Sequence, residues 1–208
     1  MGKQTSVNKI IRQKVVNFAR NHLGTKVGSG ECTDLVARAL KKAGAKSARD
    51  FVTHLTPNGN YIWGKKITLK QVKPGDILQL RNHKIKFKIL TITKKTTRFG
   101  GSKTTKVITE EEVERPHHTA IVAENIGNGV MTIYEQNIIP RGKTTLSKKV
   151  MKNKFYTKNI VITKTKKIFH IIGGSGTIKT KTIITVSGKI WAYRAIKDEN
   201  SQKSVSFF

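Results

Sequence analysis

The one cysteine of the chain, Cys32, stands where a catalytic thiol would be expected. It follows the glycine-containing segment 28–30 and begins a predicted helix whose apolar face starts at Leu35. The partial positive charge of a helix N-terminus stabilises a thiolate, which is the nucleophilic form of cysteine. The glycines let a substrate approach the backbone, where the Cys32 N–H group can donate to an oxyanion. A lone cysteine on a helix is also commonly a small buried apolar residue, so both interpretations stay open.

Two adjacent histidines, His117 and His118, stand at the beginning of a predicted apolar strand over 119–123. An imidazole held on a strand can take the proton of a thiol and later deliver it to a leaving amine. Neighbouring side chains on a strand point to opposite faces, so only one of the two can serve a given site. The same geometry argues against a metal pair, and no other ligands stand at metal-binding spacing. The sequence therefore predicts a catalytic base, with a core histidine as the alternative, and no metal or cofactor.

A polar trio at 135–137 closes the next predicted strand, 130–134. Because a tight turn at 127–129 joins this strand to the histidine strand, hairpin pairing brings their outer ends together. A carboxylate or amide, Glu135 or Asn137, can therefore hold the imidazole in one orientation and tautomer. A polar group at a strand end is otherwise an ordinary loop feature.

The elements that must hold these residues are helices followed by strands. Apolar residues at helical spacing predict an amphipathic helix over 7–23 and a second helix over 32–43. From residue 61 onward, short β-branched runs between turns predict a meandering antiparallel sheet. N-terminal helices packed on such a sheet make an α+β fold, and 208 residues fit a single domain over 1–208.

Four blocks of the chain, in order, resemble the CHAP family of cysteine, histidine-dependent amidohydrolases and peptidases, which is related to the NlpC-type cell-wall peptidases. The blocks are GECTDLV at 30–36, KPGDIL at 73–78, HTAIV at 118–122 and EQN at 135–137. The closing segment 187–194 is similar to the last strand of that family. The resemblance implies a papain-like core that runs from about residue 7 to residue 196.

The resemblance also implies a catalytic site and a reaction. It assigns the nucleophile to Cys32, the base to His118 rather than His117, and the orienting or supporting groups to Glu135 and Asn137. The implied reaction is hydrolysis of an amide bond in a peptidoglycan peptide, through a thioester intermediate. The implied partner is therefore a peptide or peptidoglycan substrate.

The chain departs from the family pattern in two respects. Many members carry glutamine before the cysteine, where it assists the oxyanion hole, whereas Glu31 stands here and leaves the second donor unassigned. The stretches 84–114 and 143–185 are long for the family, and we expect them to be β-rich insertions in the catalytic domain. Since no wall-binding repeat is recognisable, substrate docking would come from these insertions or from charge.

The charge of the chain indicates an anionic partner. Lys and Arg total 41 against 12 Asp and Glu, a net charge of +29, and such a field attracts polyanions of several kinds. Between residues 136 and 197 there is no acid, so the basic C-terminal half is the predicted contact for an anionic polymer. Lysines that protect exposed strand edges from aggregation are the alternative explanation.

Two further functions remain open at this stage. The same triad can serve an effector or toxin that acts on an intracellular protein, or a papain-like core without activity can bind polyanions. No stretch approaches the roughly 18 apolar residues of a membrane span. Residues 1–20 lack the apolar region of a standard signal peptide. We therefore expect synthesis in the cytoplasm, with any export or release by a non-standard route.

Overall fold

The computed structural model describes residues 2–52, 54–56, 59–170 and 174–202, in which two α-helices precede seven β-strands. The helices are α1 (Gly2–Asn21) and α2 (Cys32–Ala43). The strands are β1 (Lys65–Ile67), β2 (Ile77–Thr96), β3 (Ser102–Gly127), β4 (Val130–Glu135), β5 (Met151–Tyr156), β6 (Ile160–His170) and β7 (Gly174–Arg194). Within this part of the chain, neither helix is long and apolar enough to cross a membrane.

Helix α2 forms because its apolar residues fall on one face. Its buried residues recur at helical spacing: Cys32, Leu35, Val36, Ala39, Leu40 and Ala43. The helix ends at Gly44, whose φ of 70° lets its N–H group bond back to carbonyls of the last turn. Helix α1 packs against α2 and contributes the buried residues Ile11, Val15 and Ala19 to the shared core.

The strands form one antiparallel sheet in the order β1-β7-β2-β3-β4-β5, and β6 pairs with β7. The successive residues Ile77 and Leu78 belong to different core clusters, as expected for side chains on opposite faces of a sheet. The cluster of Ile77 contains the helices, and the cluster of Leu78 is built from strand and loop residues. The predicted order of helices followed by an antiparallel sheet is confirmed in outline, although the molecule is mainly β and α+β describes it only approximately.

The two predicted insertions are joined by pairing of β2, from the first, with β7, from the second. Strands β2 and β3 form one long hairpin, and the outer half of β2 pairs with β7 from Ile85↔Val186 to Thr96↔Ser175. Segments 84–114 and 143–185 therefore contribute to a common four-stranded extension, β6-β7-β2-β3; residues 171–173 lie outside the described residues. The assignment of 1–208 to one domain stays a prediction.

A β-bulge joins the central sheet to this extension. The pairing of β2 with β7 shifts by one residue, at the place where Asn82 has a φ of 50° and Gly188 a φ of 92°. Leu80 and Ile85 are an odd number of residues apart, yet both pack into the same core cluster. The irregularity thus turns the outer half of β2 so that its apolar residues continue the core of the inner half.

We expect Gly188→Ala to destabilise the protein more than Gly100→Ala. Both glycines have a positive φ, so the backbone strain of alanine is similar, about 1 kcal/mol. A methyl group at Gly188 would overlap the backbone carbonyl of Asn82, whereas the space around Gly100 is open. Urea unfolding should therefore show a loss of about 2–4 kcal/mol for Gly188→Ala and about 1 kcal/mol for the control. Equal losses would contradict this account of the bulge.

Candidate active site

Cys32 is the first residue of α2 and is buried. The residue before it, Glu31, has extended backbone angles, so the Cys32 N–H group belongs to the first helical turn, where amides lack carbonyl partners within the helix. The loop in front turns sharply, because Gly30 has a φ of 92°. Asp34 fixes this loop by accepting hydrogen bonds from Ser29 N (2.7 Å) and Ser29 Oγ (2.6 Å). The thiol therefore lies where the helix dipole favours its ionised form.

Gln136, at the end of β4, holds the same loop from the other side. Its amide nitrogen donates to the carbonyls of Glu31 (2.6 Å) and Val27 (2.9 Å), and its oxygen accepts from Val27 N at 3.2 Å. The side chain is fully buried, so these bonds replace the hydrogen bonds that water would supply. No role was predicted for Gln136 from the sequence, although its place between Glu135 and Asn137 is the signal that could have indicated one.

His118 lies on β3 and is buried beside Cys32. Its Nε2 atom is 3.0 Å from Glu135 Oε2, and the imidazole also hydrogen-bonds the thiol of Cys32. Since Nε2 faces the carboxylate, Nδ1 is the nitrogen left for the sulfur. His117 instead places its Nε2 2.5 Å from the carbonyl of Gly59 and packs its ring edge-on against Tyr61. Of the two histidines, the structure brings His118 to the cysteine.

The carboxylate of Glu135 is fully buried, and besides its ion pair with His118 it accepts hydrogen bonds from two side chains. Arg115 binds it with two N–H groups, Nε to Oε2 at 2.8 Å and Nη2 to Oε1 at 2.7 Å. Asn153, on β5, donates to Oε1 at 3.0 Å. Neither residue was predicted from the sequence: Arg115 stands directly before the Pro-His-His segment, but Asn153 lies in a strand that no motif connects to the site.

The ionisation of these groups is set by burial and by their neighbours. For Cys32, burial opposes the charge, but the hydrogen bond and charge of His118 outweigh it and lower the pKa of the thiol. Burial likewise opposes the imidazolium, yet Cys32 and Glu135 raise the pKa of His118 to about 9. Glu135 is buried too, and Arg115 and His118 hold its pKa far below the usual carboxyl range. The favoured state is a thiolate beside an imidazolium and a carboxylate.

Asn137 hydrogen-bonds the side chain of Glu31 rather than the imidazole of His118. Its Nδ2 donates to Glu31 Oε2 at 2.6 Å, and Lys148 Nζ lies 2.6 Å from the other oxygen of that carboxylate. Asn137 has a φ of 61°, a left-handed conformation that asparagine tolerates better than most residues. The structure thus brings together Cys32, His118 and Glu135, while Asn137 and Lys148 hold the side chain of Glu31.

The fold and this arrangement define a protein of the cysteine proteinase fold. The chain belongs to the AIM3/BBC1 cysteine proteinase-fold domain family, whose model matches residues 5–161. It is 36% identical over 135 residues to altered inheritance of mitochondria protein 3 of Debaryomyces hansenii. That stretch is 60% of this chain and 12% of the relative, so the chain spans a small part of the relative's length. No solved structure matches the chain.

These matches correct the sequence analysis. The papain-like core is confirmed at the level of the cysteine proteinase fold, but the matching family is AIM3/BBC1 rather than CHAP or NlpC. The peptidoglycan amidase function is wrong, because the relative is a fungal protein and peptidoglycan is a polymer of bacterial walls. The effector or toxin alternative receives no support from this family either.

We expect iodoacetamide to alkylate Cys32 faster than an ordinary cysteine at a pH below the usual thiol pKa, because the pKa of Cys32 is lowered. The thiolate is present at pH values above the lowered pKa of Cys32. Its imidazolium partner stays charged at pH values below the His118 pKa of about 9. His118→Gln removes that partner, so burial should raise the thiol pKa and slow alkylation by about tenfold or more. Rates are measured by mass spectrometry over a pH series.

His117→Gln is the matched control, since it makes the same chemical change one residue away on the same strand. Its alkylation rate should stay within about twofold of the wild type. If both variants slowed equally, the change would reflect local unfolding rather than loss of the ion pair, and the assignment of His118 would be contradicted.

Proposed function

We propose that the chain is a cysteine hydrolase that cleaves an amide bond of a peptide or protein substrate. The observation that carries the proposal is the buried contact series Cys32–His118–Glu135, in which the thiol has a lowered pKa at a helix N-terminus. Perturbed groups arranged in this way support nucleophilic catalysis. We also propose, on the order of the four sequence blocks alone, a distant kinship with CHAP-type enzymes.

The first half of the reaction forms a thioester. The Cys32 thiolate attacks the substrate carbonyl carbon, and the carbonyl π electrons move to the oxygen to give an oxyanion. The imidazolium of His118 then protonates the amine nitrogen as the C–N bond breaks, which releases the amine and leaves a neutral imidazole. Glu135 stays ionised throughout and stabilises the charged imidazole, as a third group does in other triads.

The second half uses water. Neutral His118 takes a proton from a water molecule, whose oxygen attacks the thioester carbonyl; the C–S bond breaks, and the thiolate leaves. The products are a carboxylic acid and the starting thiolate–imidazolium pair. The Cys32 N–H group at the start of α2 is the donor best placed for the oxyanion of both steps. The ion pair of Glu31 with Lys148, together with Asn137, reduces the repulsion that the neighbouring carboxylate would exert on that oxyanion.

Tyr61 supports a peptide as the substrate. It is partly buried against the core, and its pKa is raised by burial and by the negative charge of Cys32. Its ring packs edge-on against Trp63, with centroids 5.9 Å apart, and against His117 at 5.2 Å. A fixed aromatic ring next to the histidine segment is suited to contact an apolar side chain of a bound peptide.

We expect Cys32→Ala to abolish cleavage of fluorogenic peptide amides, with a loss of about a thousandfold or more. The substitution removes the nucleophile while filling most of the same buried space, so the melting temperature should change little. A peptide-amide library read by fluorescence tests activity, and mass spectrometry of the trapped acyl-enzyme tests the intermediate. Cleavage at wild-type rate by Cys32→Ala would overturn the proposal.

We propose separately that the outer end of the extension contacts an anionic polymer. We call the outer end the distal sheet, comprising residues 89–109, 163–170 and 174–182. Ten exposed basic residues and no acid fall in it. These residues are Lys94, Lys95, Arg98, Lys103, Lys106, Lys164, Lys166, Lys167, Lys179 and Lys181. In the part of the extension next to the central sheet the lysines are neutralised, since Lys84 and Lys88 of β2 form ion pairs with glutamates of β3. A cluster of unneutralised lysines attracts polyanions over about one Debye length.

We expect the double variant Lys179→Gln/Lys181→Gln to elute from a heparin column at lower salt than the wild type. Lys65→Gln/Lys66→Gln, on β1, is the matched control, because it removes the same charge from exposed residues outside the distal sheet. Each lost polyanion contact should reduce the slope of the logarithm of the binding constant against the logarithm of the salt concentration by about one unit. Equal shifts in both variants would show attraction by net charge alone and contradict a localised surface.

A further inference from the structure

The turn that closes the β2–β3 hairpin holds a phenylalanine in open solvent. Phe99 is 95% exposed, the largest exposed fraction of any large apolar side chain among the described residues. We call residues 97–101 the hairpin tip. Two backbone hydrogen bonds close it, from Thr97 N to the Gly101 carbonyl (2.8 Å) and from Gly100 N to the Thr97 carbonyl (3.1 Å). A hydrogen-bonded turn therefore presents the ring, which takes no part in the core.

The distal sheet behind the hairpin tip has no core of its own. The structure describes all of residues 89–109 and buries none of them, and the same holds for 174–182 on β7. The nearest buried residues of β2 and β7 lie closer to the central sheet, at Phe87 and Ile184. A sheet ordinarily buries one face against another layer. The distal sheet instead exposes residues on both faces, so Phe99 lies at the outer end of a single layer.

Basic side chains stand next to Phe99 on both faces of this layer. Arg98 precedes it in the hairpin tip, and Lys94 and Lys95 are exposed residues near the end of β2. Because successive strand residues point to opposite faces, the two lysines lie on different faces. The register sets Lys95 directly opposite Lys103 of β3, and like charges in that position are destabilising. An anion bound at the hairpin tip would relieve this repulsion.

An apolar ring beyond a group of cations matches the boundary between the headgroups and the acyl chains of a bilayer. The ring can enter the acyl boundary while the long basic side chains reach the headgroup phosphates. Lysines on opposite faces of a sheet can contact one plane of headgroups together when the sheet meets that plane by its end. Reversible binding of this kind needs both an apolar and an electrostatic contribution, and the hairpin tip offers both.

A nucleic acid fits the hairpin tip less well. Proteins that bind single strands stack successive bases on several aromatic side chains. Phe99 is the only aromatic residue of 89–109, and it stands at the end of the hairpin rather than along a groove. The single exposed ring therefore favours a lipid surface.

We propose that the hairpin tip inserts Phe99 into the surface of a bilayer that contains anionic lipids. The headgroups of these lipids contact the basic residues beside the ring, which are Lys94, Lys95, Arg98 and Lys103. This inference rests on the basic surface proposed above for the distal sheet, and it adds an apolar contact and a class of partner.

Sedimentation with vesicles tests the insertion. The vesicles contain either phosphatidylcholine alone or phosphatidylcholine and phosphatidylserine in about a 7:3 ratio. We expect binding to the mixed vesicles to be tighter by about tenfold or more, because only they carry net negative charge. Phe99→Ser should weaken that binding by about tenfold, since it removes the apolar contact. The side chain is almost fully exposed, so circular dichroism should show an unchanged fold.

Ile126→Ser is the matched control. Ile126 is 53% exposed and lies near the opposite end of β3, beside the turn to β4. Its replacement should change binding to the mixed vesicles by less than about twofold. Phe99→Trp should keep that binding, and the emission of its added indole, with the wild-type spectrum subtracted, should shift to shorter wavelength when the mixed vesicles are present.

Heparin elution separates the insertion from the basic surface on which it rests. Phe99→Ser keeps every charge, so it should elute from heparin at the same salt concentration as the wild type. If Lys179→Gln/Lys181→Gln and its control shifted equally on heparin, the localised basic surface would be rejected. If Phe99→Ser bound the mixed vesicles like the wild type, the insertion alone would be rejected.

Other outcomes would also overturn the insertion. They are equal weakening by Phe99→Ser and Ile126→Ser, equal binding to both kinds of vesicle, and an emission of Phe99→Trp that the mixed vesicles leave unchanged. Binding of a single-stranded RNA oligonucleotide that Phe99→Ser weakens by about tenfold would overturn it too, because the ring would then stack on bases.

Discussion

The buried carboxylate of Glu135 is the constraint on which the rest of the site depends. A buried charge is tolerated only if well-oriented hydrogen-bond and ion-pair partners replace the water molecules that would otherwise hydrate it. Arg115 and His118 of β3 and Asn153 of β5 supply those partners around a residue at the end of β4. Three neighbouring strands must therefore hold their register for the charge to be compensated, and the same register fixes the orientation of the His118 imidazole.

The end of β4 also sets the place of Cys32. Gln136 follows Glu135 directly and binds the loop before α2, so one strand end fixes both the His118 imidazole and the helix that carries Cys32. A second contact holds Cys32 from β3, the strand that carries His118. There the hydroxyl of Thr119 donates a hydrogen bond of 3.2 Å to the Cys32 carbonyl. The distance between thiol and imidazole is thus determined by two buried hydrogen-bonded connections rather than by the Cys32–His118 contact alone.

The parts of this site that the sequence predicted are those governed by local rules. A helix start after glycines and two strands joined by a tight turn bring Cys32, the two histidines and the trio 135–137 together by spacing, and the family resemblance then selects His118 as the base. Arg115 and Asn153 were missed because their roles exist only once β3, β4 and β5 pair, and side-chain length decides which atoms meet. The two β-rich insertions were predicted, but their pairing into one extension was missed for a related reason. Pairing of β2 with β7 joins segments about ninety residues apart, and alternating Lys, Thr and Ile patterns do not specify a partner strand.

The arrangement contains more than a structural ion pair would require. Arg115 and Asn153 already satisfy Glu135, and apolar residues in place of buried ionic groups are often neutral or stabilising. A third ionisable group, His118, nevertheless shares that carboxylate and faces a thiol at a helix start. Fold stability does not require an imidazolium beside a thiolate, whereas proton transfer to and from sulfur does. The cost of burying His118 is therefore better explained by chemistry at Cys32 than by stability of the sheet.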